Sequence, residues 1–270
     1  MRIGFLQFAP EFRDKAANRA HVEQKLAGVR ADIMVLPELF STGYYFAARD
    51  ELAEQAEDPD TGATFIFLQE LSRRKGTTLV AGVAERGARG VYNSAVVQTP
   101  AGKRMIYRKL HLFDEEKNLF VPGDQEPAVF PAQGMSIGME ICFDYFFPEL
   151  TRILALAGAR IICHPANLIL PYAQLLTVAR ALENRVFWIL CNRIGTERRG
   201  DRRLAFTGQS QIVAPDGTVL CRAGNNEEAV MVVEIDPSLA DNKVVGSNDL
   251  FRDRRPEFYR ALCRQAGQRD

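Results

Sequence analysis

Three side chains whose types fit acyl transfer occur in apolar surroundings: a carboxylate, an ammonium and a thiol. Glu38 follows an apolar run at residues 33–36, Lys109 lies between Tyr107 and Leu110, and Cys142 ends a run that begins near residue 136. A thiol attacks only as its thiolate, and a nearby cation or helix N-terminus favours that form. Lys109 could supply the cation and Glu38 could move protons, which together would make an acyl-transfer site.

The same three residues also allow a purely structural interpretation. A buried lysine or glutamate costs free energy unless it is paired, so Glu38 and Lys109 could form a structural ion pair. Free cysteine is most often a small buried hydrophobe, and Cys142 could be one. On residue types alone, this structural interpretation is favoured over catalysis.

The elements that must position these side chains alternate between strands and helices. Helical periodicity and capping residues predict helices at residues 14–29, 64–75, 148–157 and 175–185. Apolar or alternating runs predict strands at residues 3–8, 32–36, 78–84, 91–98, 105–107, 136–142, 160–164, 187–192, 206–214, 218–222 and 229–235. Helices between strands, followed by hairpins, occur in both halves, which indicates a pseudo-repeated α/β layer structure.

Composition argues against several classes of partner. A chain of 270 residues with 47% hydrophobic content can bury a large core. Its 34 acidic and 34 basic side chains cancel, which leaves no electrostatic case for a nucleic-acid or membrane partner. The arginine-rich stretch 197–203 is interrupted by Glu197 and Asp201 and is predicted to be a solvated loop. The five scattered cysteines fit neither a disulfide framework nor a zinc knuckle.

The N-terminal residues and the hydropathy of the chain bear on its location. Residues 1–10 lack the long apolar centre of a signal peptide and are typical of a strand that ends at Pro10. No uncharged apolar stretch approaches the roughly 20 residues needed to cross a bilayer. We therefore expect a cytoplasmic protein.

Three segments around Glu38, Lys109 and Cys142 form a joint pattern. They are Leu36-Pro37-Glu38-Leu39-Phe40-Ser41-Thr42-Gly43-Tyr44, Tyr107-Arg108-Lys109-Leu110-His111-Leu112-Phe113 and Ile137-Gly138-Met139-Glu140-Ile141-Cys142-Phe143-Asp144-Tyr145-Phe146-Phe147-Pro148-Glu149. In this order they resemble the glutamate, lysine and cysteine motifs of the nitrilase superfamily of carbon–nitrogen hydrolases. Residues 91–95, 165–167 and 180–185 also match typical family segments, so the resemblance covers nearly the whole chain.

The resemblance implies a role for each residue of a Glu-Lys-Cys triad. Cys142 would attack the carbonyl carbon of an amide and form a thioester as ammonia or an amine leaves. Glu38 would be the general base, first for the thiol and later for water. Lys109 would stabilise the tetrahedral oxyanion together with the backbone N–H of Phe143.

Further site residues follow from the motif register. Many family sites have a second glutamate after the lysine, and the register assigns it to Glu116, although a charged surface loop is the alternative. Tyr44, Phe143 and Asn167 could line the substrate pocket, while Tyr44 could equally be a packed aromatic. His111 is predicted to be a structural histidine near the lysine.

The residues that follow the nucleophile bear on the substrate. Cys142-Phe143-Asp144 departs from the Cys-Trp-Glu of nitrilases proper and sides with amide-hydrolysing branches. We predict hydrolysis of a small aliphatic amide. A nitrilase of small dinitriles and an N-carbamoyl amine or amino-acid amidohydrolase are the alternatives. An amide-forming acyltransferase and a nitrilase-fold interaction protein also stay open.

The resemblance further implies a four-layer α-β-β-α sandwich. It predicts a hydrolase domain at residues 1–246 and a C-terminal arm at residues 247–270 that packs on a partner subunit. We therefore expect a homodimer or a larger even assembly. No cofactor is expected, because the triad supplies the acid–base and electrostatic functions, and no metal site is expected. Cys163 and His164 are adjacent on a predicted strand, so they point to opposite faces and cannot both bind one metal.

Overall fold

The computed structural model describes residues 1–264, which contain sixteen strands and six α-helices. The helices are α1 Lys15–Leu26, α2 Arg49–Gln55, α3 Ala63–Lys75, α4 Glu116–Leu119, α5 Pro148–Leu156 and α6 Ala173–Asn184. The strands are β1 Arg2–Gln7, β2 Ile33–Val35, β3 Thr78–Gly87, β4 Gly90–Gln98, β5 Arg104–Arg108, β6 Phe130–Ala132, β7 Met135–Met139, β8 Ile161–Pro165, β9 Phe187–Cys191, β10 Thr196–Arg199, β11 Arg202–Ala205, β12 Gln211–Val213, β13 Val219–Arg222, β14 Ala229–Glu234, β15 Val244–Val245 and β16 Asn248–Asp249.

Two six-stranded sheets have the same internal plan. The first has the order β14-β1-β2-β3-β4-β5 and the second the order β13-β12-β9-β8-β7-β6. In each sheet three central strands run parallel, β1-β2-β3 in one and β7-β8-β9 in the other. Antiparallel strands flank these on both sides. The pseudo-repeat expected from the sequence is therefore present in the topology.

The sheets pack face to face, and helices cover their outer faces. Because side chains alternate along a strand, Ile3 and Phe5 of β1 join the core between the sheets. Leu6 of the same strand packs with Val22 and Leu68 of the helices α1 and α3. Helices α5 and α6 lie on the second sheet. The result is a four-layer α-β-β-α sandwich.

Local signals explain where the helices begin and end. The Asp14 side chain accepts a hydrogen bond from the Ala17 N–H at the start of α1. Gly76 has a φ of 63° at the end of α3, a left-handed conformation that glycine adopts readily. Pro148 opens α5, where its missing N–H costs nothing. These three boundaries agree with the sequence prediction.

Three predictions about strands and loops were wrong. The strand expected at residues 136–142 ends at Met139, and Cys142 instead opens a short 3-10 helix. The strand expected at residues 206–214 is confined to β12. The stretch 197–203, predicted to be a solvated loop, forms most of the β10–β11 hairpin. Helices α2 and α4 and strand β6 were not predicted.

The C-terminal segment lies on the helix layer of the second sheet as far as the structure describes it. Strands β15 and β16 form a hairpin across the predicted domain boundary at residue 246. Leu250, Tyr259 and Leu262 line a groove together with Ile153 and Leu156 of α5. Residues 265–270 of the predicted arm lie outside the described residues. Within residues 1–264, no helix combines the length and the apolar character needed to cross a bilayer.

Candidate active site

A fully buried lysine joins two glutamates at the centre of the site. Glu38 follows β2, Lys109 follows β5, and Glu116 opens α4. Lys109 Nζ lies 2.8 Å from Glu38 Oε1 and 2.9 Å from Glu116 Oε1. Burial alone would lower the pKa of Lys109, but the Glu116 and Glu38 carboxylates raise that pKa well above its ordinary value. The lysine is therefore a fixed cation.

The Glu38 carboxylate is held through one of its oxygens. Asn93 Nδ2 donates to Glu38 Oε1 at 2.6 Å, and Asn167 Nδ2 donates to the Glu38 backbone oxygen at 3.0 Å. The turn that carries Glu38 continues through Leu39 at a φ of 49°. The second oxygen, Glu38 Oε2, is buried with no hydrogen-bond partner among the described residues. That oxygen can accept a proton.

Cys142 stands at a sharp turn between β7 and the short 3-10 helix Cys142–Phe146. Its φ of 44° is uncommon for a residue other than glycine. The Asp144 carboxylate holds this turn, because Asp144 Oδ2 accepts from the Ile141 N–H at 2.9 Å and from the Tyr107 hydroxyl at 2.8 Å. The thiol is thus presented at the end of a parallel strand.

The surroundings of Cys142 keep its thiol protonated at neutral pH. Burial, together with the Glu38 carboxylate, raises the pKa of the Cys142 thiol well above its ordinary value, while Lys109 and the Asn167 backbone N–H act in the opposite direction. For this thiol to act as a nucleophile, a base would have to take its proton. The unpartnered oxygen of Glu38 is available for that purpose.

Two neighbouring cavities give access to these groups. One of about 20 Å³ lies against the thiol and is lined by Cys142, Phe143, Asn167 and other residues. The second, of about 330 Å³, is lined by aromatic side chains, including Tyr44 and Phe113, and by charged ones, including Glu116, Arg202 and Arg203. Phe113 borders both cavities. This mixed lining presents both apolar surface and charged groups to a small ligand.

All seven residues predicted for the site come together. Besides the triad, Glu116 is buried, and its Oε1 accepts a hydrogen bond from the Tyr44 hydroxyl at 2.8 Å. Glu116 Oε2 accepts from the Phe113 N–H at 3.0 Å. Three donors around Glu116 favour its ionised form, although burial raises its pKa. Glu116 is therefore not part of a charged surface loop.

A polar network around Asp144 was not predicted as a unit. Asp144 Oδ1 lies 2.7 Å from His111 Nδ1 and accepts from the His111 N–H at 3.1 Å. The His111 ring stacks on Phe147 with centroids 3.5 Å apart. His111 is thus structural, as predicted, and ties the lysine segment to the cysteine segment. The pairing of Tyr107 with Asp144 joins segments far apart in sequence, so no local signal could have revealed it.

The β10–β11 hairpin supports the wall that carries Tyr44. Glu197 is buried and pairs with the buried Arg193 guanidinium. The Glu197 carboxylate also accepts from the Tyr45 N–H at 2.6 Å and from the Tyr44 N–H at 3.2 Å. Arg199 Nε donates to the Tyr45 backbone oxygen at 2.8 Å. Glu197 and Arg199 thus hold the pocket wall, whereas Arg198 and residues 200–203 are exposed. The stretch is solvated over most of its length, as predicted, but it forms a hairpin rather than a loop.

Across residues 1–264, no group of three or more His, Cys, Asp or Glu side chains has an arrangement that could hold a metal ion. His164 and Cys163, adjacent on β8, have separate surroundings. The Cys163 side chain is buried in the core between the sheets, and His164 contacts the Cys142 backbone.

Known proteins that resemble this chain in sequence share its length. The family described as Carbon-nitrogen hydrolase matches residues 2–242. A protein named nitrilase from Pyrococcus abyssi is 43% identical over 263 residues, which cover 96% of this chain and 99% of the relative. An (R)-stereoselective amidase from a Pseudomonas species is 36% identical over 241 residues, which cover 87% of this chain and 85% of the relative.

A solved structure extends this likeness to three dimensions. A mutant of the amidase from Nesterenkonia sp. AN1 superposes with a TM-score of 0.81 at 27% identity, covering 97% of this chain and 96% of that one. That structure has the acetamide moiety of fluoroacetamide added covalently at the active-site cysteine.

Proposed function

Because this chain belongs to the carbon–nitrogen hydrolase family, we propose that it hydrolyses a small aliphatic amide through a thioester on Cys142 and releases ammonia and a carboxylate. One observation carries this proposal: a thiol at a strained turn shares a buried site with a lysine whose pKa is raised well above its ordinary value. The same site contains a carboxylate oxygen that has no hydrogen-bond partner within residues 1–264. A structural ion pair alone would not need the free oxygen.

Acylation follows from the positions of the donors and acceptors. As Cys142 Sγ attacks the amide carbon, the thiol proton passes to Glu38 Oε2. The oxygen of the tetrahedral intermediate takes up negative charge, which Lys109 Nζ and the Phe143 N–H stabilise. Glu38 then gives the proton to the departing nitrogen, the C–N bond breaks, and a thioester remains on Cys142.

Deacylation repeats these steps with water as the nucleophile. Glu38 removes a proton from a water molecule that attacks the thioester carbon. The same two donors stabilise the second oxyanion, and the thiolate leaves and regains its proton from Glu38. Glu116 takes no proton in this scheme. Its bonds to Lys109 and the Tyr44 hydroxyl keep the ammonium and the pocket wall in place.

A nitrile is the second candidate substrate. The relative from Pyrococcus abyssi, 43% identical, is named a nitrilase. The same thiol could add to a nitrile carbon to give a thioimidate, which two water molecules would convert to the acid and ammonia. The Phe143-Asp144 pair after the nucleophile supports the amide as first choice, and N-carbamoyl compounds are the third class to test.

Ammonia release from a panel of small amides, nitriles and N-carbamoyl compounds tests the function. Wild type should release ammonia fastest from an aliphatic amide, and Cys142→Ala should release none. Mass spectrometry of the protein with a slow amide should show an acyl adduct on the peptide that contains Cys142. A panel on which wild type and Cys142→Ala give the same background would refute the proposal.

Assembly and location are further parts of the proposal. We propose a homodimer or larger even assembly in which the groove of α5 and the C-terminal segment faces a second copy. Ile153 and Leu156 are about half exposed there, and Leu262 more so, which supports an apolar contact. A hydrolase whose nucleophile must stay a free thiol suits a reducing compartment, so we propose the cytoplasm.

A further inference from the structure

A buried histidine lies directly behind the nucleophile and contacts its backbone. His164 is on β8, the strand next to the one that leads to Cys142, and its side chain is shielded from solvent. Its Nε2 atom lies 2.9 Å from the Cys142 carbonyl oxygen. On its other side, Trp188 of β9 places its indole Nε1 3.2 Å from His164 Nδ1. The mechanism proposed above uses neither side chain.

The partners of His164 fix which ring nitrogen carries the proton. An indole N–H can only donate, so His164 Nδ1 must accept from Trp188. A backbone carbonyl can only accept, so His164 Nε2 must carry hydrogen and donate to the Cys142 oxygen. Both contacts are satisfied by one neutral tautomer. Burial also lowers the pKa of His164 to about 4, so the ring is neutral in the physiological range.

The geometry of the peptide group between Cys142 and Phe143 fixes the direction of the Phe143 N–H. In a trans peptide the carbonyl oxygen and the N–H point in opposite directions. The Cys142 oxygen points inward to His164, so the Phe143 N–H of the same peptide points outward, away from the core. That N–H has no backbone acceptor among residues 1–264 outside its own short helix.

We infer that His164 is a positioning residue that holds the Cys142–Phe143 peptide with its N–H directed at the substrate oxygen. This inference rests on the proposed function, because it takes the Phe143 N–H as an oxyanion donor. Asp144 secures the turn on the other side, through the Ile141 N–H. The Asp144 N–H also donates to the Ile141 oxygen at 3.0 Å. The peptides on both sides of Cys142, whose φ of 44° is uncommon, are therefore held.

A matched pair of variants tests the role of the His164 N–H. His164→Met removes the donor, whereas His164→Gln is similar in length and keeps an N–H that can reach the Cys142 oxygen. We expect His164→Met to lower kcat for an amide by about 10- to 100-fold, somewhat less than loss of an oxyanion donor itself, about 10²–10³-fold. His164→Gln should regain most of that loss, and KM should change little in both.

Alkylation of Cys142 by iodoacetamide separates positioning from general disruption of the site. Alkylation displaces iodide and forms no oxyanion, so it needs the thiol and Glu38 but not the Phe143 N–H. In His164→Met, the rate of alkylation measured on the Cys142 peptide should stay within about twofold of wild type. Trp188→Phe should give a smaller fall in kcat with the same unchanged alkylation, because it loosens His164 without removing it.

Cys163→Ala is the control, because it alters the preceding buried residue of the same strand and should leave kcat unchanged. Three results would overturn the inference: unchanged kcat in His164→Met, an equal fall in turnover and alkylation, or no recovery in His164→Gln. A wild type that releases no ammonia from any substrate would instead overturn the proposed function, and with it the oxyanion role of this peptide.

Discussion

At the scale of single residues, the charge state of Lys109 depends on its two acidic partners. Its side chain has no exposure to solvent, yet Glu38 and Glu116 hold its pKa well above its ordinary value. A lysine in such a place contributes a charge that does not change over the physiological pH range. It is thus suited to stabilise the oxyanion of the proposed mechanism, which would form and disappear twice in each turnover.

Replacing this lysine should abolish most of the activity. Lys109→Met keeps the length of the side chain but removes the ammonium, so kcat should fall by at least about 10²–10³-fold. Ammonia release at saturating substrate measures the change. Lys117→Met, an exposed lysine of α4, is the control and should behave as wild type. A Lys109→Met variant with near-normal kcat would contradict the assigned role.

Glu140 is a further buried carboxyl group near the nucleophile. It accepts a hydrogen bond of 2.5 Å from the Thr151 hydroxyl, while its Oε2 has no partner among the described residues. Burial raises the pKa of Glu140 to about 8. In the unfolded chain its pKa is near 4.5. Between these values the folded protein retains a proton that the unfolded chain releases.

The free energy of unfolding should therefore fall as the pH rises from about 4.5 to 8, and the Glu140 contribution should level off above that. Each pH unit in this window costs up to about 1.4 kcal/mol. In Glu140→Gln this part of the pH dependence should vanish. The free energy of unfolding of the variant should therefore increase relative to that of wild type as the pH approaches 8. Urea unfolding at pH 5, 6.5 and 8 measures it, with the exposed Glu149→Gln as control. Parallel pH curves for wild type and Glu140→Gln would contradict the prediction.

At the scale of elements, Glu38 is positioned by the close approach of β3 to the turn after β2. The Phe40 N–H donates to the Gly82 oxygen at 3.1 Å, and the Gly82 N–H donates to the Pro37 oxygen at 3.1 Å. A Cβ atom on Gly82 would lie 2.3 Å from Glu38 Cα, closer than any real contact. The strand can approach the turn only because residue 82 has no side chain.

Gly82→Ala should therefore displace Glu38. We expect the free energy of unfolding to fall by about 1–3 kcal/mol. We also expect kcat to fall by about 10²-fold, which is the effect of misplacing a catalytic group by about 1 Å. Gly28→Ala is the matched control, because a Cβ atom there meets nothing within 4 Å. Chemical denaturation and ammonia release measure both effects. If the two alanine variants have the same kcat, the argument from close approach is wrong.

How much of these elements the sequence could predict depends on how local their causes are. The stop at Gly76 and the start at Pro148 depend on the conformational preferences of single residues, and both were predicted. The β10–β11 hairpin was missed because its residues are polar and lack an apolar period. Its order comes from Glu197, whose partners at Tyr44 and Tyr45 are remote in sequence. The same contrast holds within the site. The spacing of the lysine motif predicted Glu116, but it could not predict that His164 lies beneath Cys142.

At the scale of the whole molecule, the two helix layers differ in the apolar side chains that they leave exposed. On the second sheet, Ile153 and Leu156 of α5 are 47% and 42% exposed beside the C-terminal segment. A sandwich that ended there would leave in water a groove that is largely apolar, although Arg152 and Glu183 also line it. A second copy across this groove would extend four layers to eight.

Sedimentation velocity at micromolar concentration should therefore give a dimer or a larger even assembly. Ile153→Asp, which places a charge in the groove, should shift the protein toward monomer. Ile66→Asp is the control, because Ile66 is 45% exposed on α3 of the other helix layer. A monomeric wild type would contradict the predicted assembly, and equal dissociation of both variants would contradict the choice of face.

The cavity against Cys142, about 20 Å³, has room for about one water molecule. Ammonia and the attacking water would use the same small space, so we expect ammonia to depart before water attacks the thioester. Competition for the thioester is then decided by the size of the competing nucleophile. Hydroxylamine is small enough to replace water, whereas an amine on a long or branched chain is not. Exclusion by volume would thus make this protein a hydrolase rather than a transferase toward large amines.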